Sequence, residues 1–243
     1  MQSQVYLPIS PESVVQLQQI DRALRAGEKP AQAKALGQVL ATLACEVFDA
    51  VFLALLTAQI TQCQQHVTEG QGALEAEQLL HSLHASAQVI TEIKQHIEKY
   101  MPYAVALFRN QRLLPLVDYL QTHCIEQRGV QHYLHYAISF AQRQNYLLQL
   151  QAVQANDAPA IVAAIQQLIE IVDVGVDALL YKPKEQLHLN FILDKSLNAV
   201  IQMCCQMGYK RLSHLATELD PHRAAVVFQH FLQFLDASTI QSY

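Results

Sequence analysis

A chain of 243 residues that is 51% hydrophobic and only 15% charged can build a sizeable core and has too little charge for an extended disordered region. A net charge of -5, with Lys and Arg scattered, excludes the clustered basic surface that nucleic acid requires. Five Cys without a C-x-x-C pair argue against a disulfide framework or zinc knuckle and for a reducing compartment.

The first ten residues, MQSQVYLPIS, lack the basic and apolar regions of a signal peptide, so a cytoplasmic location is expected. Ser10 followed by Pro11 is an N-cap with a proline at the first helical position, and Gly27 is a stop, which predicts a helix over roughly 11 to 26. A second helix is predicted from about 31 to 67 and contains the most apolar long stretch, Gly37 to Gln62. Glu46 and Asp49 interrupt that stretch at i, i+3, leaving no run of 18 uninterrupted apolar residues, so no membrane insertion is expected.

Gly70 and Gly72 break the pattern, and a third helix is predicted over roughly 73 to 100, with Pro102 ending or kinking it. It carries His81, His84, Gln88, Thr91 and Gln95 on the face opposite Leu83 and Ile90. Shorter helices around Pro115 follow. The next helix is expected from about 130 to 153, grouping Tyr133, Tyr136, Phe140 and Leu147. Asn156 to Pro159 reads as a cap and turn opening a helix that ends near Tyr181. Another is expected from about 184 to a stop at Gly208, and Asp220-Pro221 caps the last, to about Leu235. No alternating strand pattern is read.

The expected fold is therefore all-α, an antiparallel helical bundle of about 8 to 9 helices. Glu46-Val-Phe-Asp49 matches Glu170-Ile-Val-Asp173 at an offset of 124 residues, close to half the chain. Two pseudo-repeated subdomains, an N-terminal half 1–128 and a C-terminal half 129–243, would give such a match.

Several side-chain groups are candidates for function. Glu46, Asp49, Glu170, Asp173 and Asp177 place carboxylates on shared faces of two apolar helices, where oxygen ligands could hold Mg²⁺ or Mn²⁺. E-V-F-D and E-I-V-D resemble the E-x-x-D helix of all-α nucleoside-triphosphate pyrophosphohydrolases, which implies a divalent-metal-dependent phosphohydrolase. Read with Lys34, Gln38, Thr42 and Gln166, the same carboxylates are the wet stripes of two packed helices. His81-Ser-Leu-His84-Ala-Ser-Ala resembles the phosphoacceptor helix of histidine phosphotransfer domains. His81 falls at the phosphorylated position, and His84 and Ala85 stand where that family has Lys and Gly. His132-x-x-His135 and Glu185-x-x-His188 have metal-ligand spacing.

Val227, Phe228, Phe231, Phe234 and Leu235 form one apolar face of the last helix and are candidates for a homo-oligomer or partner interface. There is no G-x-S-x-G and no Gly-rich phosphate loop. The function expected is accordingly that of a non-catalytic interaction or scaffold protein in regulation or signalling. It would bind a protein partner or its own copy, and would need no cofactor outside the metal-dependent alternative.

Overall fold

In the computed structural model, residues 2–27, 31–68, 73–189 and 191–235 are described. The described residues are mostly helical and include one three-stranded sheet. Its contacts divide it into Pro8–Gln111 and a discontinuous unit of Met1–Leu7 with Arg112–Tyr243, whereas the sequence suggested a boundary near 128.

In Pro8–Gln111, helix α1 (Pro11–Arg25) starts as expected. The Ser10 hydroxyl accepts the Ser13 N–H at 3.1 Å, and Pro11 occupies a position whose N–H has no intrahelical partner. Helix α2 (Ala33–Phe48), a π turn (Asp49–Leu53) and α3 (Ala54–Thr68) follow one another without a break, and α4 (Ala73–Ala106) packs against both helices. The expected breakers Gly70 and Gly72, like Pro30, lie outside the described residues. Leu56 and Cys63 pack with Leu79, Leu83 and Ile90 to join α3 to α4.

Pro102 does not end α4, which continues to Ala106. α2 comes up against α4 there: a Cβ on Gly37 would stand 2.6 Å from Pro102 Cα and 3.0 Å from Met101 O.

In the other unit, β1 (Gln2–Ile9), β2 (Ile125–Arg128) and β3 (Gln131–Ser139) form a sheet in the order β1-β3-β2. β2 and β3 run antiparallel, with Ile125 opposite Leu134 and Arg128 opposite Gln131. The tight turn between them uses Gly129 at φ 60, a left-handed conformation that glycine adopts without strain. On the far side of β1, the Tyr6 N–H donates to Phe234 O at 2.8 Å and Val5 bridges Leu235.

These strands overturn the expectation of no strand and of a helix beginning near Val130. Leu134, Tyr136 and Ile138 are buried and alternate with partly exposed neighbours, the period-two pattern of a strand, and only from Phe140 does the period become helical. Ser139 and Gln142 form a reciprocal capping box at the start of helix α6 (Phe140–Gln154).

A short helix α5 (Asn110–Tyr119) and a π turn (Leu120–Cys124) precede the sheet. After α6 come α7 (Pro159–Val176), a π turn (Asp177–Tyr181), α8 (Lys182–Glu185), α9 (Phe191–Glu218) and α10 (Pro221–Leu232). α9 runs through Gly208 instead of stopping, since a lone glycine costs a helix only about 1 kcal/mol. Asp220 caps α10 by accepting the Arg223 N–H at 3.0 Å.

The apolar face of α10 is not open to a partner. Val227, Phe228, Phe231, Phe234 and Leu235 are all buried, and the Tyr146 hydroxyl donates to Phe228 O at 2.8 Å. The interface expected there is core, because α6 packs onto the stripe.

Among the described residues, two helices are long and apolar enough, by length and composition alone, to cross a membrane: Ala33–Thr61 and Pro159–Glu185. Lys34, Gln38 and Thr42 are exposed on the first, and Gln166, Asp173 and Asp177 on the second.

Candidate functional site

The carboxylates singled out by sequence have separate partners. Glu46 caps α1: its Oε1 accepts the hydroxyls of Ser10 at 2.6 Å and Ser13 at 2.7 Å, and its Oε2 accepts the Ser10 N–H at 3.0 Å. Asp49 opens the π turn and pairs with Lys94 Nζ at 2.5 Å. Glu170 accepts from Gln167 at 3.1 Å, Asp177 pairs with Lys182 at 3.0 Å, and Asp173 accepts the Tyr209 hydroxyl. Among the described residues, no group of three or more His, Cys, Asp or Glu side chains is placed to hold a metal ion.

The strand assignment also changes His132 and His135. Three residues apart on a strand, they point to opposite faces and cannot share a ligand the way helical neighbours do. His135 stacks on Tyr6 and faces Gln4 and Glu126, and burial lowers its pKa. His188, paired by spacing with Glu185, lies three residues past the end of α8 at φ 45, and its N–H donates to Glu185 O at 3.2 Å. His81 and His84 are both exposed on α4.

One cleft gathers some of these groups with residues the sequence did not flag. It is open, about 520 Å³ in volume, and lies between α7 with its π turn and α9. Asp173, Asp177 and Tyr181 line one side; Gln202, Cys205, Gln206 and Tyr209 line the other. Its chemistry is quiet. Burial and the Asp173 hydrogen bond push the Tyr209 hydroxyl well above its ordinary pKa, and burial pushes the Cys205 thiol up. Neither is a nucleophile at neutral pH, since it is the anion that attacks. Elsewhere burial raises Cys45 to about 11 and Cys124 to about 12, which marks both as packing thiols.

The surface features that stand out are apolar. Tyr100 and Tyr103 on α4 are 50% and 68% exposed, and their spacing puts them on one face with His96, whose ring meets that of Tyr100; Leu107, in the turn just past the helix, is 63% exposed. On α9, Phe191, Ile192, Val200, Met203 and Met207 are exposed. Sequence reading assigned both helices but not these faces. An apolar stripe looks the same in sequence whether its own chain covers it or not, and only the packing of α10 and the openness of α9 distinguish the two.

The chain was compared with family models, curated proteins and solved structures. Nothing matches.

Proposed function

We propose that this is a non-catalytic interaction protein, a helical scaffold in regulation or signalling. The observation that carries the reading is the solvent-facing apolar group of Tyr100 and Tyr103 at the end of α4 and Leu107 in the turn that follows. Large aromatic and aliphatic side chains grouped together are what protein interfaces use as anchors, because each buries much area at little conformational cost. The carboxylates singled out as metal-ligand candidates are instead held in caps and pairs: Glu46 on Ser10 and Ser13, Asp49 on Lys94, Asp173 on Tyr209.

The scaffold reading includes an internal duplication. Ser10 and Ser139 each cap a 15-residue helix that follows a strand, and they stand 129 residues apart. Gly27 at φ 67 and Asn156 at φ 64 end those helices in the same left-handed conformation, again 129 apart. The π turns Asp49–Leu53 and Asp177–Tyr181 both begin Asp-Ala and lie 128 apart. These features support a repeat in which Asp49 corresponds to Asp177, in place of the offset of 124 that aligned Glu46 with Glu170. The exposed polar stripes on α2 and α7 support a cytoplasmic chain in which both helices are core elements.

Affinity capture from the source cell tests the reading. A partner should be retained by the wild type and lost with Tyr103→Glu at unchanged helicity, and a partner set identical for both proteins would contradict it. A second reading has one observation in its favour, the exposure of His81, which a receiver domain would require. Acetyl phosphate should then label the wild type but not His81→Gln, and equal labelling of the two would eliminate it.

A further inference from the structure

From the open face of α9 we infer that a second copy of this chain docks there, pairing two α9 helices antiparallel about a two-fold axis between Ala199 and Val200. The inference goes beyond the interaction reading and names one partner for a different surface.

Ile192, Ser196, Ala199, Val200, Met203 and Met207 are all exposed. At 100° per residue they fall within one stripe about a quarter-turn wide, and no charged residue lies in it. Their separations, four, three, one, three and four residues, read the same from either end. A two-fold axis through the middle of the helix needs that symmetry, since an isologous contact makes residue i meet j and j meet i.

Antiparallel pairing about that axis sets Ile192 against Met207 of the second copy, Ser196 against Met203 and Ala199 against Val200. Large side chains then oppose small ones at the centre, where the helices must come closest. The stripe spans about 22 Å at a rise of 1.5 Å per residue. Lys195 and Lys210 border it. In the antiparallel arrangement they lie about 9 Å apart along the axis, whereas parallel pairing would set each lysine beside its own copy.

The area also fits. Ile192, Val200, Met203 and Met207 are 74%, 47%, 50% and 39% exposed. At roughly 150 to 200 Å² for a whole large side chain, two copies bring together about 800 Å² of apolar surface, and Ala199, Ser196 and the Gln and Lys margins carry the total past the roughly 1,000 Å² at which specific interfaces begin. That is a weak-to-moderate dimer, so protein concentration controls its population.

Sedimentation of the full chain over a concentration series to about 100 µM is the test. The wild type should be a reversible dimer. Val200→Glu and Val200→Lys should each be monomeric with unchanged circular dichroism, because like charges then face each other across the axis. Mixing the two variants should restore the dimer, which a misfolded variant could not do. A monomeric wild type, a Val200→Glu that still dimerises, or a mixture that stays monomeric would overturn the inference. Since the Tyr103→Glu capture uses another helix, a monomeric wild type leaves the interaction reading standing, and a lost capture leaves the dimer standing. A wild type that is monomeric alone yet has Met203 covered by a captured protein assigns the face to another occupant and also overturns self-pairing.

Discussion

Glu46 lies one turn before Asp49, and its position among apolar residues invited a metal-ligand reading, yet its three hydrogen bonds make it the anchor of another helix's N-terminus. Helix N-termini carry unpaired donors and a partial positive charge, and a carboxylate answers both. Glu46→Ala should therefore lower stability by about 1 to 3 kcal/mol, as removal of a charged acceptor from part-buried donors does. Chemical denaturation would show it as a lower midpoint at unchanged slope. Gly37 is a sharper case. Ala at this position would put its Cβ 2.6 Å from Pro102 Cα, a backbone atom that cannot swing aside, so Gly37→Ala should cost about 1 to 3 kcal/mol although alanine is the better helix former. A thermal melt equal to or above that of the wild type would mean that α2 and α4 do not approach so closely. In sequence, Gly37 was only the edge of an apolar run, because a close approach 65 residues away leaves no local signal.

At the scale of elements, the helix ends that carry their own chemistry were legible: Ser10-Pro11 and Asp220-Pro221 each cap a helix as read. The strands were not. Tyr133, Tyr136 and Phe140 are spaced as a helix would space them, and β3 owes its conformation to pairing with β1 and β2, which are distant or only four residues long. The sheet carries a pH signature. Burial holds the His135 pKa below its ordinary 6.5, the Arg128 charge lowers it further, and Glu126 partly offsets both. Above pH 6.5 folded and unfolded chains both hold His135 neutral. As pH falls below 6.5 the unfolded state takes up the proton first, so stability should decline in that direction. His135→Gln should flatten that slope below about pH 6.5, and an unchanged slope would assign the effect to other groups. For α10, the buried Phe228, Phe231 and Phe234 predict that truncation after Asp220 abolishes the cooperative melt of the Arg112–Tyr243 unit. A truncated chain that melts as sharply as the full one would return the helix to the surface.

For the molecule as a whole, composition and period were enough to indicate a mostly helical chain. They could not reveal which apolar stripes its own helices cover. The stripes on α10 and α9 are both apolar faces at helical spacing, but the first closes on Tyr146 and the second faces solvent. The measurement that tests the central claim most directly is hydroxyl-radical footprinting of Tyr100, Tyr103 and Leu107, in the purified chain and in native complexes isolated from the source cell. Occupancy by a partner predicts that all three react freely in the purified protein and are protected together in the complexes. Equal reactivity in both, or protection confined to the Asp173 and Tyr209 cleft, would contradict the account.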